Sequence, residues 1–438
     1  MTARVAAALV LVVVAGIAGG AASAAAQDTL PVVTLAEAIE RSARLDPDYV
    51  QALGQVDNAI WGRRVARLAF VLPSVTVSTD LTKYSSAFFN IGTGEPQSSS
   101  VTARVDARYE LFSLRKLAEL SRTGAVVEGA RADELRSRFA AAFLAESEYY
   151  AALSAQELAR IAADRVRRAK EGLVVARARV ASGASVQSDS LQLVLELSRA
   201  RLDSVRQAAA LRVARLDLGR RVGADGPVDA APIDTAARPP ELPVSLDEAV
   251  ASALEQGPDY RLARANERAA AADLRGARGE YLPQLGLSAS HQRFDSKFFP
   301  SARQVSSITL GVSWSLWDGG LRELAVSRAR TGRDVARAVR EDIERGARAD
   351  VTEAYEAYRT AAASVGLSET GLIVARENYR VQESRYRAGA STILDLLDAQ
   401  VGLTQAEADL VQARYGTRLA LAGLEAILGR RLFTRTSE

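Results

Sequence analysis

Val101-Thr102-Ala103-Arg104-Val105-Asp106-Ala107-Arg108-Tyr109-Glu110-Leu111 alternates in polarity at every step. Every odd position is apolar or aromatic and every even position is polar, so an extended chain here carries one oily face and one wet face. The pattern returns at Ile308, Leu310, Val312, Trp314 and Leu316, which alternate with Thr309, Gly311, Ser313 and Ser315. A weaker alternating partner precedes each, at 75–81 and 285–289. Strands are therefore predicted over 74–82, 100–112, 284–293 and 305–317. The intervening loops, 84–99 and 295–304, are polar but carry the pairs Phe88-Phe89 and Phe298-Phe299.

The mature chain is written twice, with an offset of about 210 residues. Asp46-Pro47-Asp48-Tyr49 corresponds to Gly257-Pro258-Asp259-Tyr260, and Leu72-Pro73 to Leu282-Pro283. Leu218-Gly219-Arg220-Arg221 corresponds to Leu428-Gly429-Arg430-Arg431. The first repeat covers 27–222 and the second 245–432, with an Ala-, Asp- and Pro-rich linker or equatorial segment at 223–244 and a tail at 433–438. Each repeat reads helix, strand, strand, long helix, shorter helix. Opening helices are predicted over 34–70 and 245–281, broken near Pro47 and Pro258. Long helices follow over 114–182 and 319–388, then 187–220 and 392–428. A helix of roughly 70 residues is about 100 Å long.

Composition removes most other functions. Of 438 residues, 48% are hydrophobic and 25% charged, which is a globular composition. The 56 basic and 53 acidic residues nearly cancel, which argues against a nucleic-acid partner. With no cysteine, one histidine (His291) and one methionine, the chain lacks the parts for zinc clusters, thiol nucleophiles or copper relays, and no cofactor or metal is expected. His291, in a polar strand-like stretch, reads as a surface residue. Arg4, an apolar run over 5–18 and small residues ending Ala24-Ala25-Ala26 have the layout of a cleaved secretory signal, 1–26. No later segment is apolar for long enough to cross a bilayer as a helix, so any crossing uses strands.

Four amphipathic strands cannot close a membrane barrel, for which about eight is the smallest common number. An open sheet edge in lipid is prohibitively unfavourable, so copies of the chain must pool their strands. With this duplication, element order and Leu-Pro approach to each hairpin, the sequence resembles the TolC-type outer membrane factors, the outer membrane efflux protein family. The likeness runs over essentially the whole mature chain. It implies a mainly α protein with a membrane β-barrel: a homotrimer forming a twelve-stranded β-barrel in outer-membrane lipid, continued by a twelve-helix periplasmic α-barrel. It also implies a non-enzymatic exit duct for efflux or type I secretion, which meets a periplasmic adaptor and an inner-membrane pump of RND or ABC type. The rival reading is a periplasmic coiled-coil scaffold without a pore, against which the four alternating segments stand.

The sharpest local likeness is Arg385-Tyr386-Arg387-Ala388-Gly389-Ala390-Ser391-Thr392-Ile393-Leu394-Asp395-Leu396-Leu397-Asp398, which looks like the family's periplasmic tip. Gly389 and its counterpart Gly183 suit a tight reversal. Asp395 and Asp398, one turn apart, share a helical face, and three copies would ring an aperture with six carboxylates. Such a ring favours cations and raises its own pKa values. By resemblance, a tyrosine, an aspartate and an arginine hold the closed state; Tyr386 and Asp189 match two of them. The expected basic residue is Ser391 here, which leaves Arg385, Arg387 or Arg179 for that role. Tyr109, Phe112, Trp314 and Trp317 are candidates for an interfacial aromatic girdle, and the loop phenylalanines for a narrowing of the outer mouth.

Overall fold

A computed structural model describes residues 30–90, 94–234, 238–295 and 303–433. The predicted signal, the end of the tail and the Phe298-Phe299 pair lie outside the described residues.

The chain opens with β1 (Val32–Val33), α1 (Leu35–Leu45) and α2 (Pro47–Leu68). The Thr34 hydroxyl accepts from the Glu37 amide while the Glu37 carboxylate accepts from the Thr34 amide, a reciprocal cap that starts α1. Asp46 then closes α1 and opens α2, accepting from the Asp48 and Tyr49 amides at 3.1 Å each. Pro47 fits because the first turn of a helix has no use for its amide. The second repeat begins the same way, with α5 (Leu246–Gln256) capped by Ser245 and Glu248, and α6 (Pro258–Gly279).

Between these openings and the long helices lie two hairpins, β2 (Ser74–Asn90) with β3 (Glu95–Phe112), and β5 (Gln284–Asp295) with β6 (Arg303–Ser313). They join into one antiparallel sheet of order β2-β3-β5-β6. The first hairpin is longer than its pattern indicated. Pairing passes through a register shift after Lys83 and resumes at Phe88 with Gln97, so most of 84–99 is strand rather than loop. The alternation fades there because polar residues occupy both faces, while the ladder needs only backbone groups. In the other direction β6 stops at Ser313, short of the predicted 317. The carbonyls of Ser315 and Leu316, which would extend the ladder, instead accept from Arg322 at 2.7 and 3.1 Å.

The register lines up the apolar positions across all four strands: Val75, Ala107, Ala289 and Ile308 form one row, and Tyr109, Leu287 and Leu310 lie in another. His291 falls on this same face, opposite Val105, with Nδ1 2.9 Å from the Ser306 hydroxyl, so it is not on the polar face. Ile308 is 80% and Val77 71% exposed, so the apolar face is uncovered in the single chain.

The helical body is built from α3 (Leu114–Ala181), α4 (Gln187–Val222), α7 (Leu321–Arg387) and α8 (Ile393–Leu428). Near the sheet, α3 packs between α2 and α6, and α7 against α6; towards the far end α3 packs between α4 and α8, and α7 against α8. Alanines fill these contacts, with Ala132, Ala145, Ala169, Ala176 and Ala200 fully buried or nearly so, and their small size lets backbones approach closely. At mid-length, β4 (Asp229–Ala230) from the linker pairs in parallel with β1, and Val228 and Ala230 pack on Tyr149, Tyr150 and Tyr415. Among the described residues no helix is long and apolar enough to cross a membrane.

Candidate functional site at the helical tip

Both helical hairpins turn at the end farthest from the sheet, and both turns are built alike. Gly183 (φ 71°) and Gly389 (φ 80°) adopt the left-handed conformation that side chains resist. The Ala184 amide donates back to the Arg179 carbonyl at 2.8 Å, and the Ala390 amide to the Arg385 carbonyl at 2.8 Å, which satisfies carbonyls that each helix end leaves open. A compact core of Leu173, Leu193, Leu197, Ile393, Leu396 and Tyr386 ties the two hairpins together.

The helix starts after the turns differ. For α8, Thr392 accepts from the Asp395 amide at 3.2 Å, while Asp395 Oδ2 accepts from the Thr392 amide at 3.0 Å and its hydroxyl at 2.8 Å. These bonds, the backbone one foremost, hold the Asp395 carboxyl below the usual range in the single chain. Asp398 is exposed one turn on, beside Asp395 on the outer surface of α8. For α4, the cap residue is Val186, which offers no side-chain bond. Asp189 instead accepts from the Ser185 hydroxyl.

Of the three candidate arginines, Arg179 alone reaches the other hairpin. Its guanidinium lies 4.7 Å from the centroid of the Tyr386 ring and donates to the Tyr386 carbonyl. Arg385 donates to its own turn at Ala390, 3.2 Å away, and Arg387 pairs with Glu383 at 2.7 Å. Tyr386 is 2% exposed, and its hydroxyl meets no hydrogen-bond geometry although Ser185 lies beside it. Burial first, then the Asp189 carboxylate, push its phenol up, against the pull of Arg179. The structure thus gathers Tyr386, Arg179 and Asp189 into one cluster and leaves Asp395 and Asp398 outside it. Ser185 was not singled out from the sequence, although its place four residues before Asp189, like Ser391 before Asp395, is a readable signal.

At the other end of the helices, Tyr109 of β3 donates to the Phe70 carbonyl, and Trp314, just past β6, donates from Nε1 to the Tyr281 carbonyl 3.1 Å away, so each ring ties the sheet end to a helix exit. The Lys116 ammonium sits 4.6 Å from the centroids of both Phe70 and Tyr109. Phe112 and Trp317 are exposed nearby, Trp317 at 79%.

The chain thus carries an uncovered amphipathic sheet at one end of long paired helices and two tight turns at the other. Residues 249–430 match the outer membrane efflux protein family. The protein CyaE of Bordetella pertussis is 30% identical over 188 residues, 42% of this chain and 40% of that protein, so the chain aligns with less than half of that relative's length. The pyoverdine export outer membrane protein OpmQ of Pseudomonas putida is 26% identical over 90% of this chain and 85% of its own. Among solved structures, the outer membrane protein VceC of Vibrio cholerae superposes with a TM-score of 0.75 at 18% identity, covering 91% of this chain and 97% of that one. The CmeC outer membrane channel of Campylobacter jejuni gives 0.77 at 14% identity, over 90% and 85%. Residues 249–430 thus carry the outer membrane efflux protein domain, and the chain as a whole has the fold of the solved outer membrane proteins VceC and CmeC.

Proposed function

We propose that three copies of this chain form the passive exit duct of a tripartite efflux or type I secretion system. The observation that carries this reading is the open sheet: β2 and β6 are each hydrogen-bonded on one side only, and the apolar face they bound is bare. Lipid tolerates neither unless copies close the sheet. Two copies would give eight strands, whose interior side chains fill; three give twelve and leave a lumen. The α2 and α7 edges near the sheet, and α4 and α7 near the tip, would then meet neighbouring copies. There the exposed Trp61, Val65, Val335 and Leu367 would find cover.

At the tip, Asp395 and Asp398 of three copies line the aperture, while Arg179 on Tyr386, with Asp189 beside them, holds the two hairpins of each copy together. Tyr109, Phe112, Trp314 and Trp317 form the girdle at the periplasmic membrane boundary. The partners are a periplasmic adaptor at the tip and an inner-membrane pump of RND or ABC type; relatives named for alkaline protease secretion and for pyoverdine export support both kinds of cargo. The purified mature protein should be a detergent-requiring trimer by light scattering, with planar-bilayer conductance blocked by multivalent cations. Asp395→Ala/Asp398→Ala should abolish that block. A detergent-free monomer overturns the channel, and unchanged block in the variant overturns the gate.

A further inference from the structure

One cluster of basic residues stands out in the helical body. Ile60, Arg63, Arg64 and Arg67 recur at helical spacing along one face of α2 and, with Val127 and Arg131 of α3, line a cavity of about 250 Å³. Four guanidinium groups and no carboxylate face this space. Carboxylates near Arg131 on α3 are already engaged: Glu128 with Arg268 at 2.6 Å, Asp133 with Arg136 at 2.6 Å, and Glu134 with the Tyr49 hydroxyl at 3.2 Å. The Arg64 guanidinium lies over Trp61, 4.3 Å from the ring centroid. The Nε of Arg63 is buried with no hydrogen-bond partner, a donor in a place where nearly all buried donors are satisfied.

We propose that this cavity binds a phosphate-bearing anion. Planar arginine forks match phosphate oxygens two at a time, and they are favoured over lysine where such recognition is needed. The volume holds a phosphate group with several waters, each needing about 30 Å³. Arg67 stands one residue before the end of α2, whose chain enters the sheet at Ser74, so the Arg67 end of the cavity points to the membrane boundary, while Arg131 lies about 25 Å along α3 from its start at Leu114. Two sources supply such an anion there: the headgroup of an inner-leaflet phospholipid, or free phosphate. The inference rests on the outer-membrane location and not on the pore.

The test uses the full-length mature protein and Arg63→Gln/Arg131→Gln. Reconstituted in nanodiscs containing phosphatidylglycerol or phosphatidylcholine, and released for native mass spectrometry, the wild type should retain phosphatidylglycerol at least tenfold over phosphatidylcholine, and the variant should lose the preference. Calorimetric titration of inorganic phosphate in detergent tests the second source; phosphate binding without lipid retention assigns the cavity to the free anion. A wild type that takes neither, or a variant that takes either as well as the wild type, overturns the proposal. So does collapse of the double variant's oligomeric state, which would give these arginines to a neighbouring copy's carboxylates. Arg67→Gln, at an exposed position, repeats the measurement if the double variant does not fold, with a loss of about threefold expected.

Discussion

The two tip turns share a backbone and differ in where they aim their acids. In the first hairpin, Val186 cannot cap, and Asp189 stays with Ser185 beside the buried Tyr386 of the other hairpin. In the second, Thr392 and Asp395 cap each other, and Asp395 and Asp398 remain at the surface. The two copies of the turn thus place their acids differently: Asp189 lies against the other hairpin, and Asp395 and Asp398 lie at the surface.

The contact between hairpins offers the largest effect. Arg179→Ala removes both the stack on Tyr386 and the bond to its carbonyl, and should raise single-channel conductance severalfold, as expected when a cation packed on a buried ring is lost. Arg385→Ala and Arg387→Ala, whose bonds stay within their own hairpin, should leave conductance within about a factor of two by the same reasoning. Equal effects of all three would erase the distinction between the turns.

A smaller effect tests the caps. Thr392→Val gives the second turn the residue type of the first and should destabilise the start of α8 by about 1 kcal/mol, read as faster amide exchange at 394–397. Val186→Thr should slow exchange at the start of α4 by a similar amount, since it supplies the hydroxyl acceptor that start lacks.

The smallest effect is in pH, and it has opposite signs at the two turns. Asp395 is held below its ordinary value, so its contribution is present above about pH 4 and is lost only as pH falls through the lower folded value. Tyr386 is pushed up, so its contribution is present below about pH 10 and fades as pH rises through the higher folded value. Amide exchange across 179–189 should therefore loosen in alkali and exchange across 392–398 in acid. Loosening of both segments at the same end of the scale would contradict the assignment.

Most of the architecture was legible because it is periodic. Alternation at 101–111 locates a strand with one lipid-compatible face whatever surrounds it, and the prolines and glycines at 47, 183, 258 and 389 punctuate the helices by their own dihedral limits. The strand ends were not legible. Hydrogen bonding beyond Lys83 follows the ladder and not the side chains, and the end of β6 depends on Arg322, a residue from the next helix. The arginine at the tip could not be chosen from sequence either. Arg179, Arg385 and Arg387 have similar local settings, and only the packing of α3 against the second hairpin sets Arg179 over Tyr386.

The repeated Leu-Gly-Arg-Arg shows the division most clearly. Sequence alone pointed to the repeated landmarks and to the order of helices and strands, because periodicity and turn chemistry are properties of the chain itself. It could not say that Gly219 lies inside α4, which runs on to Val222 and ends at Gly223 (φ 72°), while Gly429 (φ 65°) ends α8. Nor could it say that Arg221 pairs with Asp46 and Glu148 while Arg431 pairs with Glu146 and Glu425. Identical letters took different conformations because the partners that decide between them lie far along the chain, and only folding brings those partners within reach.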